Sequence, residues 1–310
     1  MRDRLAVGAA ALACALAIAA GSLAAAGEDP SAAGKGGKGG GKGGGDRTKE
    51  LPRGGTSVLP QYRPVAFDGA PQAEELGELG VGSPSGAARR LKRQARPYEK
   101  IAGKPVYPTF ELIATIALAG PGADGKYRSR QPDSTVRKYL KVARRERCLM
   151  LLDIQPGRST FIEEVKHFAP FLRNRNVGIG LDPEWNMGEN GVPGERIGSV
   201  DAKMINRVSA LMRDVVERHD LPDKILLIHQ FTPEMVKGED RILRREGLDI
   251  VLNVDGFGSP EAKRNTYERL RPTNKDLSPG FKLFYKEDSN LMSPREVLGL
   301  RPRPNVVVYE

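Results

Sequence analysis

Cys148-Leu149-Met150-Leu151-Leu152-Asp153-Ile154-Gln155-Pro156-Gly157 is an apolar run that ends in a carboxylate and then a turn. A run with no polar alternate position is a strand buried on both faces, the habit of parallel sheets. Working outward, runs of the same kind recur at Phe110–Ala117, Cys148–Ile154, Val177–Leu181, Lys224–His229, Asp249–Val254, Phe281–Tyr285 and Asn305–Tyr309. Amphipathic stretches lie between them, at Ser134–Glu146, Ser159–Arg173, Asp201–His219, Thr232–Glu246, Pro260–Leu270 and Pro294–Leu298. Most begin on a good helix cap, and Pro233 and Pro260 sit where the first helical residue belongs. Alternating strands and helices give either a doubly wound sheet or a barrel. Gly120-Pro121-Gly122 leads into Asp124-Gly125 and not into a helix, so the dinucleotide-binding fingerprint fails. The reading is a (β/α)8-like, TIM-type barrel over residues 101–310. Its eighth strand is missing, hidden in residues 103–108, or further upstream.

The remainder of the 310 residues sorts by composition. Arg2 and Arg4, the apolar run Ala6–Ala20 and the small residues Ala24-Ala25-Ala26 predict a signal peptide over 1–26, hence a secreted or extracytoplasmic protein. An uncleaved anchor and lipidation at Cys14 are the alternatives. Gly34 to Gly45 is nearly pure Gly and Lys and has nothing to bury. Residues 27–100, with thirteen basic and nine acidic side chains, read as a disordered basic linker with a short helix near Ala87–Arg96. That excess suits an anionic envelope surface better than nucleic acid in an exported chain. Two cysteines and three histidines exclude a disulfide framework, a Cys-based zinc site and His-rich metal chemistry. The expected cofactor is none, and the expected state a monomer.

In a parallel barrel, chemistry collects where the strands finish. Here polar residues end successive apolar runs: Asp153; Asp182-Pro183-Glu184-Trp185; His229-Gln230; and Asp255-Gly256-Phe257-Gly258. Glu111, inside Thr109-Phe110-Glu111-Leu112-Ile113, is acidic in a run that should be buried. Asp182 and Glu184 are the sharpest pair. On an extended chain, positions i and i+2 face the same way with Cα atoms about 6.5–7 Å apart. That is near the spacing at which two carboxyls flank a glycosidic bond. Their repulsion should raise one pKa and leave the other ionised. Glu184 is the expected general acid and Asp182 the second carboxylate. Asp153, His229, Gln230, Asp255, Trp185 and Glu111 are the expected substrate-binding set, Trp185 as a stacking surface.

No Gly-x-Ser-x-Gly elbow or His-Glu-x-x-His motif is present. A divalent cation on Asp153, Asp182, Glu184 and Asp255 is physically allowed, which makes a metal-dependent phosphodiesterase the rival enzyme. A non-catalytic barrel that binds a sugar or wall polymer is the third reading.

The runs Leu152–Gly157, Leu181–Trp185, His229–Pro233 and Asn253–Gly258, with Asn290–Glu296 and Arg301–Pro304, resemble a group of secreted bacterial barrel proteins that brings no activity to the reading. The Asp182-Pro183-Glu184 strand end also resembles the Asp-x-Glu pair of barrel lysozymes of the glycosyl hydrolase class. That resemblance implies a third acidic residue near the first strand and a polysaccharide or cell-wall polymer as substrate.

Overall fold

The computed structural model describes residues 49–310, and within it Leu149–Ile154 is a strand buried along its whole length. The expected signal peptide and the Gly/Lys run lie outside the described residues. Eight parallel strands form the fold: β1 (Arg63–Gly69), β2 (Val106–Ala117), β3 (Leu149–Ile154), β4 (Val177–Leu181), β5 (Lys224–Gln230), β6 (Leu248–Val254), β7 (Ser278–Leu283) and β8 (Val306–Tyr309). Each pairs with the next, and β1 pairs with both β2 and β8, so the sheet closes into a TIM-type barrel. Helices α1 (Pro84–Ala102), α2 (Asp133–Arg145), α3 (Phe161–Leu172), α4 (Ala202–His219), α5 (Pro260–Leu270) and α6 (Pro294–Gly299) cover six of the seven connections.

Strand pleating sorts the apolar residues into two clusters. Met150, Leu152 and Ile154 of β3 pack outward against the helices with Ile179, Leu226 and Ile250. Leu149 and Leu151 point into the barrel with Ala66, Ile225, Leu227, Val251, Val306 and Val308. Continuing the same alternation toward the strand ends, the next inward positions are Asp68, Asp153, His229, Asn253 and Lys282. The lower barrel is therefore apolar and the upper layer polar.

The eighth strand lies upstream, at Arg63–Gly69, inside the stretch expected to be a linker. Its sequence hides it, since Val65-Ala66-Phe67 is too short an apolar run to mark a strand beside Pro64. Helix α1 corrects the same expectation. Ser83 caps it by accepting from the Gly86 N–H, Gly103 ends it in the left-handed region, and Ala87, Ala88, Leu91, Ala95 and Tyr98 bury one stripe. Its basic residues occupy the other faces. Upstream of β1, Leu51, Val58 and Leu59 join the inward cluster as a floor to the barrel. The Leu59 N–H donates to Asp249 Oδ2 at 3.0 Å, fastening that floor. Of the linker, residues 49–100 thus belong to the barrel.

The other correction is Thr232–Glu246, which forms no α-helix. Gly238 sits at φ 72°, a conformation a helix does not accept. Before it, Val236-Lys237 pairs in parallel with Val200-Asp201; after it comes a 3-10 turn, Glu239–Arg241. Tertiary pairing overrides the Thr-Pro start signal here.

Candidate active site at the carboxyl ends of the strands

Glycines on β4 make room for the site. An ideal Cβ at Gly180 would lie 2.5 Å from Asp153 Oδ1 and 3.1 Å from Glu111 Oε1, so those two carboxyls converge over a position that tolerates no side chain. Gly280 on β7 does the same for Asn253, whose Oδ1 would lie 2.4 Å from a Cβ there. Small residues on the inner face thus admit polar side chains from neighbouring strands.

Glu111, Asp153 and His229 have no solvent-exposed surface. They form the lower tier of the site and meet one another, whereas the sequence suggested that they reach substrate. His229 Nε2 is 3.2 Å from Glu111 Oε1 and 3.8 Å from Asp182 Oδ1. Its Nδ1 is 2.7 Å from Asp255 Oδ2, and Asn253 Nδ2 donates to Asp255 Oδ1 at 2.6 Å. Burial opposes a charge on the ring, but Asp255 and Asp182 outweigh it and hold the His229 pKa well above its ordinary value. Burial, then the charge of Asp182, pushes the Asp153 pKa well up. Both Asp153 oxygens and Glu111 Oε2 are buried without a hydrogen-bond partner.

Asp182, Asp255 and Gln230 form the upper tier, each 5% exposed, with Glu184 and Trp185 half-buried at the rim. Asp182 follows β4 and precedes a 3-10 turn, Pro183–Trp185, so the Asp182–Glu184 pair is not the extended dipeptide the sequence suggested. Gln155, after β3, donates from Nε2 to Asp182 Oδ2 at 3.0 Å and accepts from the Ala117 N–H at 3.1 Å, which fixes the Asp182 carboxylate. The Gly198 N–H donates to the Glu184 carbonyl at 2.7 Å and pins the turn to the following loop. Glu184 Oε2 is shut from solvent without a partner. Burial first, then Asp182 and Asp255, raises the Glu184 pKa well above the usual carboxylate value.

Opposite this set, Lys282 of β7 reaches Asp68 Oδ2 at 2.6 Å and Glu310 Oε2 at 2.7 Å. Asp68 and Glu310 were not singled out from the sequence. Asp68 lay in the presumed linker, and nothing marks Glu310 locally. The first strand carries an acidic residue, Asp68, which is held by this lysine. Burial, against the pull of Lys282, pushes the Asp68 pKa up to about 8. Asp68 and Glu310 hold the Lys282 pKa well above its ordinary value despite burial. Lys282→Met should therefore lower stability by about 3–5 kcal/mol, because Asp68 keeps its buried position, with half-buried Glu310 beside it, without the cation. A urea unfolding midpoint equal to that of the wild type would mean that protons, and not Lys282, neutralise them.

The fold and this tiered, carboxylate-rich mouth define a closed (β/α)8 barrel with a polar centre at the carboxyl ends of its strands. The sequence matches no family model and no curated protein. Among solved structures, a hyperthermophilic endo-beta-1,4-glucanase in complex with substrate superposes with a TM-score of 0.41 at 9% identity, over 81% of this chain and 89% of that chain. A GH18 chitinase from Pseudoalteromonas aurantia gives a TM-score of 0.41 at 12% identity, over 80% of this chain and 93% of that chain. Superpositions this loose leave the chemistry to be argued from the residues.

Proposed function

We propose that this barrel is a secreted glycosidase-type hydrolase acting on an envelope or extracellular polysaccharide. The observation that carries the reading is Glu184, a rim carboxyl with a raised pKa and an unbonded, buried oxygen, beside an Asp182 carboxylate held by Gln155. A carboxyl that keeps its proton above the ordinary carboxylate range can give it to a leaving-group oxygen. The fixed neighbour can attack, activate water or stabilise developing positive charge. Trp185 lies half-buried next to the acid, where its ring can stack on a sugar face. Arg89, Arg93 and Arg96 of α1 and Lys138 and Lys141 of α2 are exposed on adjoining helices, a cationic face suited to an anionic wall.

Release of reducing ends from wall fragments and chitooligosaccharides by the purified protein tests the reading. Tight binding without release would make the barrel a carbohydrate-binding module. The Glu184 pKa gives the pH dependence. The acid must be protonated to act, so kcat/KM should be sustained above the ordinary carboxylate range and fall as pH rises through the raised pKa. An alkaline limb that falls at ordinary carboxylate pH, near 4 to 5, would remove Glu184 from the acid role.

A further inference from the structure

The geometry points to a divalent-cation site in the lower tier of the barrel mouth, formed by Glu111, Asp153 and His229. The inference goes beyond the hydrolase reading and does not depend on it. One ligand atom from each of the three residues lies within 4.8 Å of the others, and all three residues have no exposed surface. A first-row ion with bonds of about 2.0–2.2 Å draws ligand atoms to within about 4 Å of one another. Small side-chain rotations therefore complete the set.

Asp153 supplies the independent observation. Both of its oxygens are buried with no hydrogen-bond partner, and one lies over Gly180 beside Glu111 Oε1. Glu111 Oε2 lacks a partner as well. A single proton on Asp153 satisfies one of these oxygens, whereas one cation satisfies atoms of both carboxylates together. The ion would take the place of the Nε2 proton. With hydrogen on Nδ1, donated to Asp255 at 2.7 Å, Nε2 then faces Glu111 as a ligand. Asn253 fixes Asp255 in turn, the outer-shell support that metal-binding histidines use. Two carboxylates and a neutral imidazole balance a charge of +2. The same negative field that favours a proton on His229 favours a cation in its place. The mixed nitrogen and oxygen donors suit Zn2+ or Mn2+ rather than Ca2+. This set differs from the Asp153, Asp182, Glu184 and Asp255 grouping that the sequence allowed, and it leaves both rim carboxyls free.

The test uses the untagged protein, stripped with EDTA and titrated with Zn2+ or Mn2+. Bound metal is counted by elemental analysis after gel filtration, and thermal unfolding is followed in parallel. The expected result is one equivalent retained per chain and a rise of about 5 °C in Tm at saturating metal. Asp153→Asn and Glu111→Gln should each lose both, while the exposed Glu189→Gln keeps both. A wild-type protein that retains no metal overturns the site without recourse to variants. So does equal retention by a folded Asp153→Asn. Glu184→Gln separates the two proposals. If it still binds the ion but cleaves glycan as well as the wild type, the hydrolase reading falls alone. If glycan cleavage depends on Glu184 but no metal is retained, the cation site falls alone.

Discussion

A chain beginning at residue 101 should not fold, whereas one beginning at residue 49 should unfold in a single cooperative transition. The shorter chain loses β1, which bonds to β2 on one side and β8 on the other, and so leaves two strand edges open in a barrel that otherwise has none. It also loses α1 up to Lys100, and with it Leu91 and Tyr98, both fully buried, as well as Val65, Phe67 and Leu79. Tyr98 Oη lies 2.6 Å from Tyr309 Oη, so the last strand loses a partner too. Each large buried side chain contributes about 1.5–3 kcal/mol. Five of them match the 5–15 kcal/mol by which a typical domain is stable. Circular dichroism melts of the two chains read the difference directly. A sharp transition from the chain starting at 101 would show that β1 is an accessory strand and not part of the closure.

Glu184→Gln should lower turnover on any glycan the wild type cleaves by about 100- to 10,000-fold, with little change in Tm. The amide keeps the shape of the carboxyl and removes the proton that the leaving group needs. Because Glu184 Oε2 has no partner in the fold, the replacement breaks no hydrogen bond at that atom, and stability should hold. Asp182→Asn should act on the same step, yet Asp182 also accepts from Gln155, so its cost is divided between activity and local order. Steady-state kinetics with the two variants settles the assignment. Full turnover by folded Glu184→Gln would remove the acid role, and loss of binding without loss of kcat would turn Glu184 into a substrate contact.

Much of this architecture was legible because burial leaves a local mark. The apolar runs at 149–152 and 177–181 could be read as two-faced strands without knowledge of their neighbours. The pleat then placed Asp153 and His229 on the inner face at the strand ends. Strand β1 was not legible, since its apolar core is three residues long and Pro64 and Asp68 read as linker composition. The segment 232–246 misled for the opposite reason. Its helix-start chemistry is real, but Gly238 and the pairing of Val236 with Val200 decide its conformation.

The sequence by itself determined an alternating parallel strand–helix repeat that favoured a barrel over a doubly wound sheet, the seven strands from β2 onward, and the residue types at their carboxyl ends. Period and burial are properties of a few consecutive residues, so they survive without tertiary context. Only the tertiary structure decided the closure through β1, the sorting of the polar residues into a closed lower tier and a reachable rim, and the partners each one keeps. His229 with Asp255 and Gln155 with Asp182 are joined between neighbouring strands, and Lys282 with Asp68 and Glu310 across the seam where the first strand closes the sheet. Contacts of that kind depend on strand register and on the small residues Gly180 and Gly280 that let side chains meet, and neither is written in the local pattern of either partner.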